Sequence, residues 1–151
     1  MGLLEGQRYV EVQIAKLIRV PLIREVYCVQ LYVDDLDAGI GFYRDRLGHE
    51  LIWRSEFAAG LWLPISDVEL VLQVQRKEPE TGLVFESADE VAIRFESAGG
   101  SIVTQPFDIQ IGRCAVVEDP WGNRFFLLDR KKGTLLTDEM GNVVAISKEV
   151  G

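Results

Sequence analysis

Residues 27–48 read YCVQLYVDDLDAGIGFYRDRLG, and two different periods meet in them. Over Tyr27–Val33 the side chains alternate, with Cys28, Gln30 and Tyr32 on one face and Val29, Leu31 and Val33 on the other. β-formers dominate, so the segment is expected to be a strand. Beyond it, Leu36, Ile40, Tyr43 and Leu47 recur at helical spacing. Asp34 or Asp35 is placed to cap that helix, and Gly48 to end it in a left-handed turn. Three further strand candidates follow at His49–Ser55, Gly60–Pro64 and Asp67–Gln75.

The same order returns downstream. Leu83–Glu86 is a short strand, and Ser87-Ala-Asp-Glu90 has the form of a capping box. Val91, Phe95 and Ala98 line one face of the helix it opens, and Gly99-Gly100 stop it. Strands follow at Ser101–Thr104, Gly112–Val117 and Arg124–Leu128. The last two are joined by Asp119-Pro-Trp-Gly-Asn123, where Pro120 sets φ and Gly122 is free to take φ > 0. The chain therefore reads strand–helix–three strands twice, an α+β class of two tandem βαβββ modules. Residues 27–75 and 82–129 form the modules of one domain, 27–130.

Two extensions flank it. In residues 1–26 a weak alternation (Val10, Val12, Ile14) gives way to a helix-like face (Ile14, Leu17, Ile18), and Pro21 interrupts either. Residues 131–151 contain a hairpin in Thr134–Ile146 that turns near Met140-Gly-Asn142. Both extensions are expected to cover sheet edges or extend an oligomer contact, because exposed edges invite pairing.

Composition removes several classes of partner. The 151 residues carry a net charge of −8 and no long basic run, which argues against nucleic acid. No stretch of about 20 apolar residues suggests a membrane span, and the N-terminal residues do not read as a signal peptide. The two cysteines, Cys28 and Cys114, lie far apart in apolar runs and are expected to be buried thiols in a reducing cytoplasm.

The quoted stretch and VVEDPWGNRFFLLD (116–129) together resemble the vicinal oxygen chelate superfamily, which includes glyoxalase I, bleomycin-resistance proteins and extradiol dioxygenases. Members typically show His-x-x-Leu-x-Val-x-Asp-Leu, then Phe-Tyr-Arg-Asp and Leu-Gly, and an Asp-Pro-x-Gly-Asn turn before the last strand. The resemblance covers about Val26 to Asp129. It implies that the modules form a curled mixed sheet around a cavity, with Leu31 and Val33 facing the helices and Cys28, Gln30 and Tyr32 facing inward.

The resemblance also implies four metal-ligand positions, usually His or Gln and then Glu. They fall on Cys28, on Gln73 or Glu69 according to register, on Gly82 or Thr81, and on Phe126, seven residues beyond Asp119. Glycine has no donor, phenylalanine has no lone pair, and the single histidine, His49, lies at none of these positions. The expectation is therefore no metal and no cofactor. Glu69, Glu56 and Asp108 remain as conceivable acid–base groups, and Cys28 lacks a neighbour to activate it.

What the inward faces offer instead is aromatic and polarisable. Tyr32, Trp53, Trp62 and Phe126, with Trp121 at the mouth, provide stacking area, and Cys28, Gln30, Glu69 and Gln73 add polar groups. The leading expectation is a metal-independent, homodimeric protein that binds a small aromatic or cationic molecule, with a resistance or sequestration role. The alternative is a glyoxalase-like lyase or isomerase with an unusual metal site.

Overall fold

The computed structural model describes residues 21–148, so the expectations for residues 1–20 fall outside them. The first module comprises β1 (Val26–Tyr32), α1 (Leu36–Ile40), β2 (Leu51–Arg54), β3 (Ala58–Leu61) and β4 (Glu69–Gln73). The second comprises β5 (Glu80–Phe85), α2 (Ala88–Ser97), β6 (Ser101–Ile109), β7 (Gly112–Glu118) and β8 (Arg124–Asp129). They share one mixed eight-stranded sheet, ordered β2-β3-β4-β1-β5-β8-β7-β6. Outward from the antiparallel β1–β5 seam, the two halves have the same strand order. A separate hairpin, β9 (Thr134–Thr137) and β10 (Val143–Ser147), lies beyond β8 in the chain.

Local chemistry accounts for the helix starts. Asp35 is extended, and its Oδ1 accepts a hydrogen bond from the Ala38 amide at 2.8 Å. Ser87 does the same for Glu90 at 3.2 Å. Each cap satisfies an amide that has no partner within its helix. The helices then differ. α1 passes after Ile40 into a π-helical segment, Gly41–Arg46, and the Leu47 amide bonds back five residues to the Phe42 carbonyl at 3.1 Å. A π turn holds an extra residue and shifts the phase of the side chains beyond it. Leu36 and Ile40 are buried as expected, whereas Leu47, expected on the same stripe, is 53 % exposed. Gly48 takes φ 85° and Gly99 φ 112°, so both helices end in left-handed glycine.

Alternation divides each strand between two layers. Toward α1, Leu36 and Ile40 pack on Ala59, Leu61 and Leu72, and toward α2, Val91 and Ala92 pack on Leu83, Ala115, Val117 and Leu127. A fully buried leucine contributes roughly 1.5–3 kcal/mol, so these two layers are where the fold draws most of its apolar stabilisation. The opposite face of the sheet carries Ile111, Cys114 and Leu128, joined by Tyr27, Phe107 and Phe126 and by Leu135 and Ile146 of the hairpin. The C-terminal hairpin thus covers part of the inner face of the second module.

Two strands depart from expectation. β6 continues to Ile109, past Pro106, because it is an edge strand and a missing amide there removes no inner ladder bond. β3 runs over Ala58–Leu61, two residues earlier than the apolar run suggested, with Ala59 and Leu61 toward α1. Gly60 on its other face is required: a Cβ there would collide with the side chains of Trp53 and Glu69. Among the described residues, no helix is long and apolar enough to cross a membrane.

Candidate functional site

A cavity of about 560 Å³ opens on the inner face of the sheet. β1 contributes Cys28 and Gln30, β4 contributes Val71 and Gln73, and β2 and β8 contribute Trp53, Phe126 and Leu128. Apolar walls come from Tyr27, Phe57, Phe107 and Ile111, and the hairpin adds Leu135 and Val143. The volume lies in the range of small-molecule sites.

Five of the nine residues expected at the site line this cavity: Cys28, Gln30, Trp53, Gln73 and Phe126. Four do not. Tyr32 ends β1, half-buried and beyond the cavity's reach, although it shares a strand face with Cys28 and Gln30. Trp62 lies just past β3, 48 % exposed, and with Ile52 and Glu69 lines a separate depression of about 190 Å³. Trp121 is 83 % exposed at the tip of the β7–β8 turn. That turn is held by Asp119, whose Oδ1 accepts from the Trp121 and Asn123 amides at 2.9 Å each, so the indole ring has no part in closing it.

Glu69 is the most informative of the four. Its carboxylate accepts a hydrogen bond from the indole N–H of the cavity-lining Trp53, and Glu69 itself lines the smaller depression. The strand register also settles its place in the repeat. Cys28 stands opposite Glu69 in the parallel β1–β4 pair, and Gly82 opposite Phe126 in the parallel β5–β8 pair. Cys28 and Gly82 are paired across the seam. One row across the sheet is therefore Glu69, Cys28, Gly82, Phe126, and Glu69, not Gln73, is the first module's counterpart of Phe126.

This row is where the superfamily resemblance implies metal ligands, and its chemistry does not fit a metal. Gly82 has no side chain, and a Cβ there would strike the Cys28 sulfur. Phe126 has no donor atom. Burial pushes the Cys28 thiol up to about 12, so it is protonated at neutral pH. No group of three or more His, Cys, Asp or Glu capable of holding an ion occurs among the described residues. His49 stands elsewhere, with Nδ1 3.2 Å from the Trp62 carbonyl oxygen.

Glu69 yields a pH prediction. Burial raises its pKa more than the Trp53 hydrogen bond lowers it. A carboxyl with a folded pKa above its unfolded one binds protons more tightly when folded, so its contribution to stability falls as pH rises between the two values and stays unfavourable above both. Glu69→Gln keeps an acceptor for the indole and removes the charge. The variant is expected to be at least as stable as the parent at neutral pH and to lose that decline. Urea unfolding across the acidic-to-neutral range measures both, and a variant weaker at neutral pH contradicts the assignment.

The sequence did not single out Arg76. Its Nε lies 2.9 Å from both carboxylate oxygens of Glu80, and its Nη2 donates to Gln30 Oε1 at 3.2 Å. The guanidinium carbon stands 5.1 Å from the centre of the Phe126 ring, a cation–π distance. Gln73 fixes the backbone beneath, its Oε1 accepting from the Gln75 and Arg76 amides at 2.8 Å each. The Glu80 side chain is fully buried, and its pKa is raised because burial outweighs the opposing Arg76 charge. In sequence, Arg-Lys-Glu-Pro-Glu (76–80) looks like a solvated loop; the one available signal was the four-residue spacing of Arg76 and Glu80 leading into β5.

Several solved structures share this fold. Methylmalonyl-CoA epimerase from Mycobacterium tuberculosis superposes with a TM-score of 0.59 at 20 % identity, covering 74 % of this chain and 91 % of that one. A structure described as NAD-dependent benzaldehyde dehydrogenase from Legionella pneumophila gives 0.59 at 22 % identity, over 69 % and 98 %. Homoprotocatechuate 2,3-dioxygenase from B. fuscum gives 0.51 at 21 % identity, over 72 % of this chain and 32 % of that one. At these identities the likeness is one of fold. A search of the curated proteins finds no match. The family model of the glyoxalase/bleomycin resistance protein/dioxygenase superfamily matches residues 26–127, from the first residue of β1 to within β8, and the chain belongs to that superfamily.

Proposed function

We propose that the protein binds a small planar aromatic molecule in the 560 Å³ cavity without a metal, and that its role is sequestration. The observation that carries this reading is the inner row of the sheet. Where the resemblance implies ligands, Gly82 offers no side chain and Phe126 an aromatic ring in the cavity wall, which Trp53 also lines. Flat rings in an apolar cavity with a few fixed polar groups favour a flat ligand. The neighbouring epimerase and dioxygenase folds show that the same scaffold also carries catalysis. In this cavity, however, the thiol of Cys28 is held protonated, which leaves it unactivated as a nucleophile, and Glu69 is not among the lining residues.

The test is a titration of intrinsic fluorescence with tricyclic aromatic compounds, with and without EDTA. Trp53 lines the cavity, while Trp62 and Trp121 are exposed, so a Trp62→Phe/Trp121→Phe variant reports Trp53 alone. The expected result is saturable quenching that EDTA leaves unchanged and that Phe126→Ala weakens about tenfold, the order of one lost ring–ring contact. Flat titrations across the series, or binding abolished by the chelator, overturn the reading.

A further inference from the structure

The geometry points to an uncharged aromatic carbonyl compound as the ligand, its oxygen accepting a hydrogen bond from the Arg76 guanidinium at the polar pole of the cavity. This rests on the proposed binding function and adds the chemical class. The first support is charge. Arg76 is matched by Glu80 beneath it, and Asp108 at the wall is matched by Arg113 and Lys132 at 3.3 and 2.8 Å. Of the charged side chains lining the cavity, only Glu56, exposed at the mouth, has no ion pair among the described residues. A cationic ligand would meet a guanidinium in the wall. A carboxylate would have to share that guanidinium with the buried Glu80. A neutral ligand meets neither cost.

The second support is donor geometry. Nε and Nη2 of Arg76 are engaged by Glu80 and Gln30, while Nη1 makes no hydrogen bond within the described residues. Arg76 is a cavity-lining residue, 20 % exposed at its side chain. A guanidinium donor presented to a largely apolar cavity asks for an acceptor. Phe126 packs on the guanidinium face and also lines the cavity, which sets an aromatic surface beside that donor. An aryl ketone has this combination of flat apolar body and in-plane acceptor.

The experiment uses three tricyclic probes of similar size: acridone, which is neutral with a carbonyl, acridine-9-carboxylate, an anion, and 9-aminoacridine, a cation at neutral pH. Each is titrated by calorimetry into the full chain and into Arg76→Met/Glu80→Gln, which removes the donor without leaving a buried charge unpaired. Acridone is expected to bind at least tenfold more tightly than either charged probe. The double variant is expected to lose about 10–100-fold of its acridone affinity, the range of one hydrogen bond from a charged donor. If the double variant does not fold, Arg76→Lys keeps the charge beside Glu80 but not the planar fork, and the same loss is expected. Tightest binding of a charged probe, or acridone affinity unchanged in the Arg76 variants but lost in Phe126→Ala, overturns the ligand class and leaves cavity binding standing. Failure of all three probes overturns both.

Discussion

Arg76→Met alone is expected to lower folding stability by about 3–5 kcal/mol, the cost of leaving a buried charge without its partner. The reason lies in Glu80, whose side chain has no exposure and whose carboxylate takes its ion pair from Arg76. Gln30 also loses the donor that reaches its Oε1. For a domain of ordinary stability, roughly 5–15 kcal/mol, this is a large fraction of the total. Two readouts separate it from a simple packing loss. The defect should shrink as pH falls, because protonated Glu80 tolerates burial and its pKa is already raised in the native protein. Adding Glu80→Gln should restore most of the loss, because it is the orphaned charge and not the missing side-chain volume that destabilises. Chemical unfolding of the single and double variants in acidic and slightly alkaline buffer measures both, and an undiminished defect in the double variant contradicts the account.

Asp129→Ala is expected to cost about 2–6 kcal/mol, on the basis of 1–3 kcal/mol for each of two donors left unmade. Asp129 ends β8 at 1 % exposure. Its Oδ2 accepts from the first amide of α2, Ala88, at 3.0 Å, and its Oδ1 from the Arg113 amide on β7 at the same distance. One carboxylate therefore ties the start of a helix to two strands. Asp129→Asn keeps one acceptor oxygen and presents an NH₂ to the other amide, so roughly half the loss is expected. Hydrogen exchange adds a local reading: the Ala88 and Arg113 amides should lose protection before the centre of the sheet. A melting curve unchanged in Asp129→Ala contradicts the assignment.

How much of this was legible in the residues depends on the range of the interaction. The alternation of Cys28 and Gln30 against Leu31 and Val33 placed the faces of β1 correctly, because a strand side chain points by parity alone. The Asp34-Asp35 pair, of which Asp35 makes the bond, and Ser87 announced their helices because a cap bonds to an amide three residues away. The turn Asp119–Asn123 closes on its own side chains. Leu47 escaped because a change from α to π winding depends on packing around the helix and leaves no mark in the apolar spacing. Trp62 and Trp121 were expected at the cavity because aromatic residues are recognisable by type, while their position relative to a curled sheet is not.

The amino-acid sequence by itself determined the two βαβββ modules, their caps and turns, and the lack of donors at Gly82 and Phe126, since each arises from residue type and local spacing. Tertiary structure alone decided the rest. Register across the sheet put Glu69 in the row of Cys28, Gly82 and Phe126, and the Trp53 indole took up its carboxylate. Folding of the β4–β5 connection onto β1 and β8 brought Arg76 to Gln30, 46 residues away, and to Phe126. The charge of Arg76 could be read from the chain, but its partners, its burial and its place in the cavity wall came from strands that meet only when the two modules share one sheet.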